Sequence, residues 1–324
     1  MLSSSPVADV LAGSARFAVE CARAEDLADR LPDKCANLLW LDIPYFKVKT
    51  DQAWDCAWPT ADAFLTWLDE RCQQWRRIMA PNGSLYVFAS PDMAWHVEGV
   101  VRRHFEVLTN IRWLKPPHST KAEMFVKEDL RSPFPASETI LFCEQPALWP
   151  AMIESARKLS GLSRQDVSEA VVGTRSGACW NWEAGIRFPE RAHWNKLRAL
   201  LPTLPEFDEV ERPFFATSER PYTDVWTYSV VQSYDGKHPC EKPYPMCEDA
   251  LLLSSRPGDL VVDLFCGSGG IGAAAMAHDR RFIGGDMDPH WRDFTERRCA
   301  MTIATGKTST RKVVQAHPAQ MSLL

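Results

Sequence analysis

Residues 256–289, RPGDLVVDLFCGSGGIGAAAMAHDRRFIGGDMDP, constrain the fold more than any other stretch of the 324-residue chain. Pro257, Gly258 and Asp259 make a turn, and Leu260 to Leu264 is almost wholly apolar. A short run of that kind suits a strand buried on both faces of a parallel sheet. Phe265 to Gly270 follows, too rich in glycine for a strand or a helix core. Ile271 to His278 is alanine-rich and reads as a helix; Arg281 to Gly285 reads as a second strand and ends on Asp286. Glycines let backbone N–H groups approach a ligand where a loop enters a helix. An acid at the tip of the next strand can accept hydrogen bonds from two ribose hydroxyls. The unit therefore describes a nucleoside-containing cofactor site, although a ligand-free βα turn can share its composition.

A second candidate site lies early in the chain. Asn37 to Leu41 is an apolar run of strand length, followed at once by Asp42-Ile43-Pro44-Tyr45. The C-terminal end of a buried strand is where open α/β sheets place their ligands. The Asp42 carboxylate and the Ile43 carbonyl can each accept a hydrogen bond from a ligand, Pro44 stiffens the turn, and Tyr45 offers a ring on which a flat ligand can stack. The competing reading is a strand-end turn in which the aspartate only caps.

Two motifs carry a family resemblance. His238-Pro239-Cys240-Glu241-Lys242-Pro243, an apolar helix over Cys247 to Leu253 and the glycine-loop unit together resemble the C-terminal half of amino-directed DNA methyltransferases. These enzymes methylate N6 of adenine or N4 of cytosine with S-adenosylmethionine (AdoMet). Asp42 to Tyr45 resembles the D-P-P-Y motif of the same family, with Ile43 in place of the first proline; the carbonyl survives that change and some rigidity is lost. The resemblance implies catalytic roles for Asp42, Ile43, Pro44 and Tyr45. It also implies a cofactor site lined by His238, Lys242, Asp263, Phe265, Cys266, Gly267, Ser268, Gly269 and Asp286. His238 and Lys242 belong to the motif that helps hold the methionine end in the family, and Lys242 can equally be a structural lysine packed on the loop. An aspartate at position 42 is commoner in the family with adenine as target. The implied mechanism needs no metal and no covalent intermediate, so Cys240 is read as incidental.

The order of motifs, catalytic strand end first and cofactor loop last, resembles the circularly permuted β group. The fold this implies is α/β: a doubly wound, mostly parallel sheet with one antiparallel edge strand, helices on both faces and an inserted small helical domain. The two motifs are expected at neighbouring strand ends.

The rest of the chain supplies connections and candidate DNA contacts. Ala61 to Ala80 reads as an amphipathic helix stopped by Pro81-Asn82-Gly83, with a strand over Ser84 to Ala89. Further strands are expected over Glu106 to Lys115 and Glu138 to Glu144. Residues 116–137 form a long irregular connection. Lys115, His118, Lys121, Lys127 and Arg131 are placed to meet phosphates there, or to form a solvated surface. Residues 151–201 change to helical periodicity, with Ser163 as an N-cap and Asp166 as its capping-box partner. Trp182-Glu183-Ala184-Gly185-x-x-x-Pro189 resembles lambda-repressor-like helix-turn-helix domains, whose second helix can enter the major groove. Arg164, Gln165, Arg175 and Asn181 are the candidate DNA contacts of that segment; a bundle that only packs or dimerises is the alternative.

These readings divide the chain into a catalytic half (16–150), a helical target-recognition segment (151–210), a cofactor half (211–304) and a flexible tail (305–324). The net charge of −5 gives no global basic field, so DNA must be met by local patches. Ten scattered cysteines without C-x-x-C argue against a zinc site or a disulfide framework and for a reducing cytoplasm. No secretion signal or membrane span is read. Double-stranded DNA is the expected partner, and a homodimer is compatible with the sequence. Three alternatives stay open: N4 of cytosine as target, an RNA amine, and an AdoMet- and DNA-binding module that has lost turnover.

Overall fold

The computed structural model describes residues 5–116, 131, 133 and 135–309. The candidate contacts His118, Lys121 and Lys127 and the end of the expected tail lie outside them. The chain forms two compact units, one of them Gln145–Arg212.

The larger unit is built on eight strands: β1 (Phe17–Cys21), β2 (Ala36–Leu41), β3 (Met79–Ala89), β4 (Glu106–Leu114), β5 (Ser137–Glu144), β6 (Val225–Thr227), β7 (Leu260–Asp263) and β8 (Arg281–Asp286). They form one sheet in the order β1-β8-β7-β2-β3-β5-β4-β6. Every pairing is parallel except those of β5 with β3 and with β4. The antiparallel strand is therefore internal, which corrects the expected antiparallel edge. The reason is β4, which pairs along the outer side of β5 while β3 holds its inner side; the three-residue strand β6 then takes the edge beside β4.

Among the described residues, the helices that accompany the sheet are α1 (Pro6–Leu11), α2 (Ala24–Arg30), α3 (Ala61–Ile78), α4 (Ala94–Val101), α10 (Tyr244–Ser254), α11 (Gly270–Ala277) and α12 (Pro289–Thr305). Side chains alternate across a strand, so each central strand feeds two cores. Leu39 and Leu41 join one cluster with Phe64, Leu68 and Trp75 of α3 and Val97 of α4. Leu38 and Trp40 join the opposite cluster with Met246 and Leu251 of α10 and Ile271 and Ala274 of α11. That two-sided burial is why these strands read as nearly continuous apolar runs.

Helix α3 ends at Ile78, and the segment Pro81-Asn82-Gly83 lies within β3 rather than in a turn before it. Register with β2 jumps there, from Ala36 opposite Met79 to Leu38 opposite Ser84, so the extra residues bulge out. Gly83 makes this possible: a Cβ would sit 3.0 Å from the Ala36 and Ala80 carbonyl oxygens.

The smaller unit holds α5 (Trp149–Leu159), α6 (Arg164–Val172), α7 (Ala178–Glu183), α8 (Arg191–Leu200) and α9 (Phe207–Val210). Its core gathers Ile153, Val167, Cys179, Trp182, Trp194, Leu197 and Phe207. The capping box at Ser163 and Asp166 is formed, with Gly173 closing α6 in the left-handed conformation. Among the described residues no helix is long and apolar enough to cross a membrane.

Candidate active site

Strands β2 and β7 are neighbours at the centre of the sheet, pairing Leu38 with Val261 and Leu39 with Val262. The chain leaves β2 toward β3 and leaves β7 toward β8, on opposite sides. Such a topological switch point opens a crevice at the C-terminal strand ends. Asp42 follows β2, Asp263 ends β7 and Asp286 ends β8, so parallel pairing delivers all three acids to one edge. One cleft there is lined by Asp42, His238, Lys242, Asp263, Phe265 and Gly267 among others. The two sequence motifs thus meet.

Their closest link is an ion pair across 200 residues of chain: Lys242 Nζ donates to Asp42 Oδ2 at 2.6 Å. Lys242 Nζ also lies 3.8 Å from Glu138 Oε2 and over the rings of Tyr45, Phe88 and Trp113, at 5.2, 4.9 and 5.9 Å from their centroids. Its side chain is 7% exposed. Burial alone would favour the neutral amine, but Asp42 and Glu138 outweigh it and hold the lysine protonated. Burial pushes the Asp42 pKa up, and Lys242 opposes that rise. With Oδ2 engaged, Asp42 Oδ1 is buried and accepts no hydrogen bond from the described residues. A buried carboxylate oxygen without a donor is costly, and this one is free to accept an N–H.

Glu138, the second residue of β5, was not a candidate from sequence. Its Oε2 accepts the Tyr45 hydroxyl at 2.6 Å and its Oε1 accepts Lys115 Nζ at 2.5 Å. Burial raises its pKa, but Lys242 and Lys115 prevail and hold it below the usual glutamate range. Lys115 is accordingly not turned toward phosphate; its ammonium is spent on Glu138 and lies 4.9 Å from the Trp113 ring centroid. A glutamate opening an apolar run carries no periodic signal, which is why only the fold reveals it.

On the other side of the cleft, the glycine loop is shaped from behind by α12. Thr295 Oγ1 donates to the Gly267 carbonyl at 2.8 Å and Arg298 Nη1 to the Ser268 carbonyl at 2.8 Å. Gly267 and Gly269 have φ of +47° and +70°. A Cβ on Gly269 would meet Thr295 at 2.7 Å, and one on Gly267 would meet the His238 ring at 3.1 Å. His238 itself lies edge-on to Trp291, and burial, with Lys242 and Lys237, pulls its pKa down to about 3, so the ring is neutral. Its Nδ1 accepts the Cys240 N–H.

The Asp286 carboxylate accepts the N–H groups of Gly267 and Asp288, both at 2.9 Å. Each oxygen keeps a second lone pair for a ligand hydroxyl. Asp263 accepts the Phe265 N–H at 3.0 Å; burial, then Asp42 and Asp286, drive its pKa well above the ordinary value. Cys266 is buried, and the Phe265 ring stands edge-on to Trp67 at 6.2 Å. Among the described residues no group of three or more His, Cys, Asp or Glu side chains is arranged to hold a metal.

In the helical unit, two of the four candidate DNA contacts are engaged internally. Arg164 Nε donates to Glu183 at 2.5 Å, and Arg175 pairs with Asp166 at 3.1 Å. Glu183, 3% exposed, also accepts Arg157. Gln165 is exposed and Asn181 half-buried, next to the exposed Trp180.

The chain has relatives among known proteins. The N6/N4 family model described as DNA methylase matches residues 36–297. DNA adenine methyltransferase YhdJ of Escherichia coli is 25% identical over 272 residues, covering 81% of this chain and 75% of that protein. Type II methyltransferase M.EcaI of Enterobacter cloacae is 26% identical, covering 78% of this chain and 62% of that protein. M2.DpnII of Streptococcus pneumoniae is 40% identical over 78 residues, 29% of its length. The fold matches the PvuII cytosine-N4-specific DNA methyltransferase, with a TM-score of 0.53 at 15% identity over 93% of this chain and 91% of that one. It also matches TTHA0409 of Thermus thermophilus in complex with S-adenosyl-L-methionine, with a TM-score of 0.52 at 16% identity over 89% and 95%. With the family model spanning most of its length, the chain belongs to the N6/N4 DNA methylase family.

Proposed function

We propose that this chain is an AdoMet-dependent DNA methyltransferase of the permuted β group that acts on N6 of an adenine extruded from the duplex. The observation that carries the reading is Asp42 Oδ1, a buried acceptor without a donor, in the cleft shared with the glycine loop. Relatives such as YhdJ, named for adenine methylation, support the target base. The motif order, Asp42 after β2 and the glycine loop after β7, supports the β group.

The residues fit AdoMet by their chemistry. Asp42, Asp263 and Asp286 stand at one edge of the sheet, and burial raises the pKa of all three. A cationic ligand relieves that strain, and a nucleoside suits the free lone pairs of Asp286. His238, Lys242, Phe265, Cys266 and Gly267 to Gly269 form the rest of the pocket wall. When bound, AdoMet supplies an electrophilic methyl on sulfonium sulfur.

The chain's own part is alignment. Asp42 Oδ1 accepts one N–H of the adenine amine, and the Ile43 carbonyl accepts the other. This turns the nitrogen lone pair toward the methyl group. Lys242 fixes the Asp42 carboxylate in its ionised, acceptor form. The Tyr45 ring, held at its hydroxyl by Glu138, is the platform on which the base stacks. Asp42 takes the proton that the amine sheds on methylation. In this reading the helical unit is the inserted helix-turn-helix that meets the duplex, through Gln165 and Asn181 more than the ion-paired Arg164 and Arg175.

Incubation with labelled AdoMet and unmethylated bacterial DNA, followed by digestion and nucleoside analysis, tests the assignment. N6-methyladenine is the expected product. N4-methylcytosine would keep the mechanism and reverse the base; label in neither would contradict the activity.

A further inference from the structure

The turn that follows Tyr45 is strained, and one buried carboxylate holds it. Phe46 and Lys47 are consecutive non-glycine residues with φ of +59° and +63°. Single residues of this kind are uncommon, and a pair needs an external brace. The brace is Asp55, fully buried at the end of a single 3-10 turn, Ala53–Asp55. Its Oδ1 accepts the Tyr45 N–H at 2.5 Å, its Oδ2 the Lys49 N–H at 2.6 Å, and its carbonyl the Lys47 N–H at 2.8 Å. Alternate N–H groups along the turn thus all end on one residue. The Phe46 ring stacks on buried Phe64, 5.6 Å between centroids, which anchors the other side. Charge-assisted bonds from main-chain N–H groups are strong and directional, so Asp55 sets where the Tyr45 main chain points.

We propose that Asp55 is a positioning residue for methyl transfer: it holds the left-handed Phe46–Lys47 turn and thereby aims Tyr45, and the Asp42–Pro44 main chain before it, at the reacting amine. This rests on the reading of Asp42 to Tyr45 as the catalytic turn. The hydrogen bonds of Asp55 run to its own turn and not to the glycine loop, so it acts on the chemical step and not on AdoMet affinity.

The test compares single-turnover methyl transfer per AdoMet bound with AdoMet affinity by calorimetry. Asp55→Asn keeps one acceptor oxygen and replaces the other with an NH2 group that cannot accept. The expected result is a rate lower by about tenfold with AdoMet affinity unchanged. Adding Lys47→Gly to that variant recovers much of the rate, because glycine adopts positive φ without penalty. Lys47→Val, at an exposed position whose side chain donates to the Pro59 carbonyl and not to Asp55, slows transfer severalfold, because a β-branched residue resists that conformation. Wild-type rates in Asp55→Asn and Lys47→Val would overturn the proposal. Equal losses of rate and AdoMet affinity, without recovery by Lys47→Gly, would also overturn it and leave Asp55 a general stabiliser. Failure of the underlying reading looks different: Asp42→Ala would then retain methyl transfer.

Discussion

Two carboxylates and two lysines, Asp42, Glu138, Lys115 and Lys242, decide the chemistry at the scale of single residues. Removing one partner of a buried pair typically costs about 3–5 kcal/mol, because the other charge is left uncompensated. Here the network softens such a loss, since Lys242 touches two carboxylates and Glu138 faces two lysines. The effect on function is sharper than the effect on stability. Asp42 must be ionised to take the proton the amine sheds, and burial raises its pKa while Lys242 lowers it. Activity therefore falls on acidification, with its acid limb displaced upward from the ordinary aspartate value of about 4. Lys242→Met removes the lowering influence, so the limb moves to still higher pH and the rate at neutral pH drops. A pH–rate profile of both proteins checks this; an unmoved limb would mean that Lys242 does not govern Asp42.

Elements that carry their own signal were legible in the sequence, and those defined by a distant partner were not. Strands β2 and β7 are short apolar runs bounded by turn residues, and the glycine loop between β7 and α11 names its own conformation. The capping box of α6 is equally local. By contrast, the internal position of β5 depends on β3 and β4 both pairing with it, and nothing in Ser137–Glu144 encodes that. Glu138 and Asp55 look like ordinary surface acids until the fold buries them. The motif around Lys242 was legible as a cofactor motif, but the pairing of its ammonium with Asp42, 200 residues away, was not. The glycine loop supplies the test proper to this scale. Gly269→Ala places a methyl 2.7 Å from Thr295 at a φ of +70°, so the loop must shift from its support on α12. AdoMet affinity is expected to fall by at least about tenfold, with a lower melting temperature. Unchanged affinity by calorimetry would show that the loop does not shape the cofactor site.

The whole molecule makes one cleft from two stretches of chain that the helical unit separates in sequence. In the proposed reading one stretch, the glycine loop and Asp286, takes the methyl donor, and the other, Asp42 to Tyr45, the amine. The division of labour is the central claim, and it predicts that binding and chemistry separate cleanly. The most direct measurement is AdoMet affinity and single-turnover methyl transfer to DNA, taken on the same preparations of the wild type and Asp42→Ala. The account predicts that Asp42→Ala binds AdoMet as the wild type does and loses methyl transfer by at least about a hundredfold, in the range of a lost aligning group. Methyl transfer that survives in Asp42→Ala would contradict it.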